Sequence, residues 1–178
     1  SRNNYELESK AERQRQQAQQ QGERAEQLQT LNRLKELARR QSDLNQRLQE
    51  LQIALLDEED EAERERIERE LKRLQEEQRN LIDDLDEAQQ RMDRSQNDEL
   101  AESRQQLEEA REQMEQTARN LEQIDLLDAE NEAERERIEQ QLSQAANSGS
   151  RGSRNLDEVE EDYKEQTASE FADAMREM

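Results

Sequence analysis

Carboxylates are the abundant side chains here with chemistry to offer. Of 178 residues, 48 are Asp or Glu and 27 are Lys or Arg, with no His and no Cys. Carboxylate pairs at i, i+3 or i+4 on a helix face are the raw material of general acid–base pairs and hard-cation sites. At this density such pairs arise from composition alone, so their spacing selects nothing. The densest run, Asp57–Glu61, could hold Ca²⁺ or Mg²⁺ only loosely, because it lacks the spaced ligands and the glycine of an EF-hand loop. Di-iron sites in helical bundles need inward carboxylates and usually Glu-x-x-His, whereas the carboxylates here avoid the apolar positions. Without His or Cys, imidazole and thiolate catalysis, zinc ligation and disulfides are excluded from this stretch. Gly149 and Gly152 lie in a Ser/Arg run with no strand before it, so they form no phosphate-cradling loop. No Ser or Lys has a recognisable activating base. The reading is of a non-enzyme, with no catalytic, cofactor-binding or metal-binding residues and no cofactor.

The elements that would position any site are helical. Hydrophobic residues make up 29% of the chain and charged ones 42%, with three glycines, no proline, and aromatics only at Tyr5, Tyr163 and Phe171. That is too little apolar surface for an ordinary globular core and almost nothing to break a helix. The formal charge of −21 opposes contact with phosphate backbones, and three scattered aromatics build no base-stacking platform, so nucleic acid is not an expected partner. No apolar run approaches the roughly 18 to 20 residues that cross a bilayer, and no signal-peptide pattern occurs. The segment reads as soluble, with no direct membrane contact.

Apolar and small residues mark out heptad stripes. A weak stripe runs Leu7, Ala11, Gln14, Ala18, Gln21, Ala25, Leu28. The step Leu28–Leu31–Leu34 breaks its phase, as a three-residue stammer does. Stronger association seams follow: Leu34, Leu37, Leu44, Leu48, Leu51 and Leu55; then Ile67, Leu71, Leu74, Leu81, Leu85 and Met92; then Leu100, Leu107, Met114, Leu121 and Ile124, with Ile138 and Leu142 beyond. Gln14, Gln21, Gln41 and Gln78 fall on these stripes, either bonding across an interface to fix register or sitting half-exposed in a loose seam. Between Met92 and Leu100 the spacing is eight, and Asn97 or Asp98 is placed to cap a restarting helix. Segments 53–71 and 124–142 align without gaps and are identical at 14 of 19 positions, an internal repeat.

Within the repeat the seam disappears at Asp57–Arg66 and Asp128–Arg137. Two arrangements remain: antiparallel hairpins that turn there, or one unbroken rod that would extend about 210 Å over residues 5–146. The hairpin reading makes Asp57 and Asp128 N-caps, with Asp60 and Asn131 three positions on. It also sets residues 24–49, net +3, beside residues 57–70, net −6. The small, polar run 147–155 predicts a flexible linker. Beyond it, Leu156, Val159, Tyr163, Phe171 and Met175 make an apolar helix face, either a tethered docking helix or one more packed helix. The expected organisation is therefore a Gln-rich helix at 1–30, two related helical units at 31–95 and 96–146, the linker at 147–155 and an acidic amphipathic helix at 156–178. The fold class is all-α and elongated, as coiled coil or antiparallel helical hairpins.

The stretches starting Tyr5-Glu-Leu-Glu-Ser-Lys-Ala-Glu-Arg, Leu28-Gln-Thr-Leu-Asn-Arg-Leu-Lys-Glu-Leu-Ala-Arg-Arg-Gln and Asp43-Leu-Asn-Gln-Arg-Leu-Gln-Glu-Leu-Gln, with the ending Ser169-Glu-Phe-Ala-Asp-Ala-Met-Arg-Glu-Met, give the chain a likeness over most of its length. It resembles the helical region of a family of large bacterial proteins catalogued only as a domain of unknown function. Those proteins look membrane-anchored by apolar helices ahead of a very long helical region. The resemblance therefore implies an internal piece of such a protein, and it brings no catalytic residues. Myosin-rod and tropomyosin-like segments share the composition, but the broken phase and the Gly/Ser run depart from their continuous heptads. The expected function is a structural spacer or scaffold that associates with itself or other proteins. The competing reading is an acidic docking module that binds a protein through the C-terminal helix.

Overall fold

With no proline and three glycines in the whole chain, helices end only where packing or capping ends them. The computed structural model describes residues 1–57, 60–95, 98–126 and 131–176, apart from the side chain of Ala174. These residues form α1 (Arg2–Leu56), α2 (Glu61–Arg94), α3 (Ala101–Glu122) and α4 (Glu132–Arg176), with a 3₁₀ turn at Asp98–Leu100 before α3. No strand occurs among the described residues. The all-α, hairpin-built architecture expected from the seams is what the chain adopts.

Each helix packs on two neighbours: α1 on α2 and α4, α3 on α2 and α4. Cross-helix bonds give the directions. Arg40 meets Asp84 between α1 and α2, Arg111 meets Asp86 between α2 and α3, Arg151 meets Gln113 between α3 and α4, and Gln27 meets Glu170 between α1 and α4. Every adjacent pair is antiparallel, so the fold is an up-down-up-down four-helix bundle. The two units expected at 31–95 and 96–146 do not stand apart, because all their seams enter one continuous core.

Both copies of the repeat are hairpin tips, and the unbroken rod is excluded there. The capping residues differ from expectation. Asp57 closes the C-terminal end of α1, its N–H bonded to the Ile53 carbonyl. The N-cap of α2 is Asp60, whose Oδ1 accepts from the Glu63 N–H at 2.8 Å. Asn131 does the same for α4, accepting from the Glu134 N–H at 2.9 Å. The reason is that α1 stays helical through Leu56, so Asp57 ends that helix and does not start the next. Asp128 and Asn97 lie outside the described residues. Asp98 sits in the 3₁₀ turn, and α3 starts behind Leu100 without a side-chain cap.

The linker expected at 147–155 is also corrected. Helix α4 runs through it without interruption, and Ser148, Gly149 and Gly152 are buried. A Cβ on Gly149 would overlap Asn45 Oδ1, and one on Gly152 would press on Met114 Cγ at 3.3 Å. These glycines let α4 approach α1 and α3 closely, which outweighs the roughly 1 kcal/mol by which glycine disfavours a helix.

Charge pairing between α1 and α2 follows the expected sense with a different partner segment. Arg40 and Arg47 bond Asp84 and Glu77, so the basic stretch of α1 faces residues 75–95, with seven acidic and three basic side chains, rather than 57–70. The hairpin register places 57–70 beside the last turns of α1.

Candidate functional site

The side chains singled out as an association seam converge on the core. Leu34, Leu37, Leu44, Leu48, Leu51, Ile67, Leu71, Leu74, Leu81, Leu85, Met92, Leu100, Leu107, Met114, Leu121, Ile124, Ile138 and Leu142 are all buried, and Leu55 is packed at its edge. Ala88 and Ala110 of the same stripes join them, and sequence reasoning missed Ala38, Ile82, Ala118, Leu126 and Ala145. Leu156, Val159 and Tyr163, read as a docking face, are buried in the same core, so that face of α4 is already occupied. Phe171 and Met175 remain 41% and 56% exposed, with the Arg24 guanidinium 4.7 Å above the Phe171 ring.

Halfway along the bundle a polar layer crosses all four helices. Gln41 Nε2 donates to Gln78 Oε1 at 3.0 Å and Gln78 Nε2 returns to Gln41 Oε1 at 2.8 Å. Asn45 Oδ1 accepts from Gln41, and Asn45 Nδ2 donates to the Gly149 carbonyl at 2.8 Å. One residue earlier on α4, Ser148 shares a 2.6 Å hydrogen bond with Thr117 of α3. Of the two readings of the seam glutamines, bonding across an interface holds for Gln41 and Gln78. Gln14 and Gln21 are exposed on α1.

Surface electrostatics is dominated by pairs. Arg79 bonds Glu122 at 2.6 Å and Glu115 at 2.7 Å, which raises the arginine's pKa and holds the Glu122 carboxyl below its ordinary value. Hydrogen bonding to Asp86 raises Arg111, and hydrogen bonding to Glu77 raises Arg47. At the end where α2 gives way to α3, a hydrogen bond donated by the protonated Glu99 carboxyl to Glu170 raises Glu99 above its ordinary value. In the same region burial raises Tyr163, opposed by its hydrogen bond with Thr30. A cleft of about 490 Å³ opens here beside Thr30, Met92, Leu100 and Tyr163, with Arg91, Arg94 and Glu170 at its rim. Two hydroxyls of its lining are committed to carbonyls of their own helices, Thr30 to Glu26 and Ser95 to Met92. No group of three or more potential metal ligands is assembled among the described residues. Part of the Asp57–Glu61 cluster lies outside them. No described helix is long and apolar enough to cross a membrane.

The remaining candidate surface is the start of α1. Every residue from Arg2 to Gln29 is exposed or half-buried, and Tyr5, Leu7 and Leu28 are 74%, 65% and 44% exposed. At 100° per residue, Leu28 lies about 160° around the helix from buried Thr30. The phase break at Leu28–Leu31–Leu34 thus turns the Leu7–Leu28 stripe away from the bundle. No protein-family model, curated protein or solved structure matches this chain.

Proposed function

We propose that this chain is a non-catalytic structural spacer, a stiff bundle that holds protein partners or copies of itself at a fixed separation. One observation carries the reading: the seam side chains and the buried amides are consumed in a single bonded core shared by all four helices, from Leu34 to Leu51 on α1. What faces outward is predominantly charge, −21 in total, which keeps such a rod soluble and apart from its neighbours. The resemblance to the helical region of large, membrane-anchored bacterial proteins fits a spacer role for a segment of a longer chain.

A spacer must keep its ends at one distance. The absence of cysteine makes site-specific labelling clean: Tyr5→Cys and Ile53→Cys, both exposed, bracket α1. At about 1.5 Å per residue the labels should lie roughly 70 Å apart. Single-molecule energy transfer should return one narrow distribution near that value. A broad distribution, or one centred far shorter, contradicts the reading.

The docking-module reading keeps one supporting observation, the exposed Phe171 and Met175 beside Arg24. A partner captured by the chain and lost on Phe171→Glu with Met175→Glu, without loss of helicity, would favour it over the spacer.

A further inference from the structure

We infer that two copies of this chain pair antiparallel through the projecting start of α1, with Leu7 of each copy against Ala18 of the other and Glu8 of each beside Arg15 of the other. The inference deepens the spacer reading, and rests on it, by naming the partner as a second copy.

Placement leaves the stripe open to another molecule. The Leu7–Leu28 residues point away from the bundle, so the other helices of the same chain, which pack on the opposite side of α1, do not reach them. A heptad stripe of alternating large and small residues is a surface for a helix, and its neighbour must come from outside the chain.

Charge then selects the molecule. Residues 1–30 hold five basic and five acidic side chains, so the whole −21 resides beyond them. A neutral stretch offers no net attraction to a strongly basic or acidic partner. It is also the part of the surface where a second copy of an acidic protein approaches without net repulsion.

Direction follows from the residues flanking the stripe. In a parallel pair Lys10 falls beside Arg15 of the second copy, twice by symmetry, and both contacts repel. In the antiparallel register with Leu7 opposite Ala18, Ala11 faces Gln14, each larger side chain against a smaller one. Glu8 then falls beside Arg15, twice, and both contacts attract, while Lys10 faces Gln17. This register also sends the acidic bundles to opposite ends. Counting along the helix from Thr30 of one copy to Thr30 of the other gives about 50 Å, several times the screening length of about 8 Å at physiological salt. A parallel pair would hold the bundles side by side.

The test uses the whole 178-residue chain in three forms: wild type, Glu8→Arg, and Arg15→Glu. Both positions are exposed and remote from the core, so the bundle should fold in each. Sedimentation equilibrium over about 10 µM to about 1 mM should show wild type in a monomer–dimer equilibrium. Each variant alone, with two attractions made repulsions, should dimerise about tenfold more weakly. An equimolar mixture should recover wild-type dimerisation. In the mixed dimer one contact between positions 8 and 15 has its signs exchanged and the other is the native Glu8–Arg15 pair, so both attract.

Stronger dimerisation of Arg15→Glu alone, which a parallel pair predicts through Lys10, would overturn the proposal. So would a mixture no better than its components, or wild type that stays monomeric throughout. Circular dichroism and scattering on the same samples separate the two levels of the account. A folded rod that fails to dimerise sinks this inference alone, whereas loss of the rod sinks the spacer reading as well.

Discussion

Gln41 and Gln78 face each other across α1 and α2 with both amide hydrogen bonds made, at 3.0 and 2.8 Å, and neither residue exposes any surface. A reciprocal amide pair inside a leucine seam is the strongest register-setting element in the bundle. Slipping either helix by a heptad would bury each amide against leucine, leaving polar groups unbonded at about 1 to 3 kcal/mol apiece.

The first prediction follows from that asymmetry. Gln41→Leu should destabilise the protein by about 2 to 3 kcal/mol, because it strands Gln78 and releases Asn45 Oδ1 from its donor. The double variant Gln41→Leu, Gln78→Leu should recover most of the loss, because a leucine pair replaces the amide pair. Urea unfolding of the three variants in a double-mutant cycle checks this, and additive losses would show that the amides are not coupled.

Two glycines should respond to alanine with opposite sign. A methyl added at Gly22 would meet nothing within 4 Å, so Gly22→Ala should raise helicity with a gain of up to about 1 kcal/mol for the local helix. Gly149→Ala drives a methyl into the Asn45 amide that bonds its own carbonyl, and should cost about 1 to 3 kcal/mol. Amide hydrogen exchange on α1 and denaturant midpoints read the two effects separately. Stabilisation by Gly149→Ala would mean that α4 is not held this close to α1.

Acid should act on two carboxyls in opposite directions. Glu122 is held low by its hydrogen bonds with Arg79, so its contribution is present at and above the ordinary value of 4.5 and is lost as pH falls through the lower folded value. The pair is largely exposed, so less than about 1 kcal/mol is at stake. Glu99 is raised by Glu170, so its contribution is present below the ordinary value and is lost as pH rises through the higher folded one. Glu122→Gln should therefore flatten the loss of stability on acidification, and Glu99→Gln should make the protein more stable at neutral pH. Unfolding midpoints between about pH 3 and about pH 7 would show whether the two slopes change as stated.

Much of this bundle is legible in the sequence, since leucines at 4,3 spacing have one way to hide and the repeat marks both tips. The linker expectation fails because Gly149, Ser150, Gly152 and Ser153 carry the composition of a flexible run. The signal that reveals the helix is phase: Ile138, Leu142, Ala145, Gly149, Gly152, Leu156, Val159 and Tyr163 step four and three without a break, so the glycines occupy seam positions. Composition speaks for a loop, while periodicity speaks for a close helix contact. The caps at Asp60 and Asn131 escape a local reading because acidic residues are so frequent around the tips that several satisfy the capping pattern equally well. That the early α1 stripe turns away from the bundle depends on where the other helices pack, which no local pattern supplies.

The central claim is that four helices fold back on one another around a shared seam, with α1 as the longest element. Small-angle scattering with light-scattering mass, taken at dilution where the chain is monomeric, tests it most directly. The 55 residues of α1 set a maximum dimension of about 80 to 90 Å at the monomer mass. A monomer extending about 230 Å, the length of the four helices laid end to end, would contradict the account.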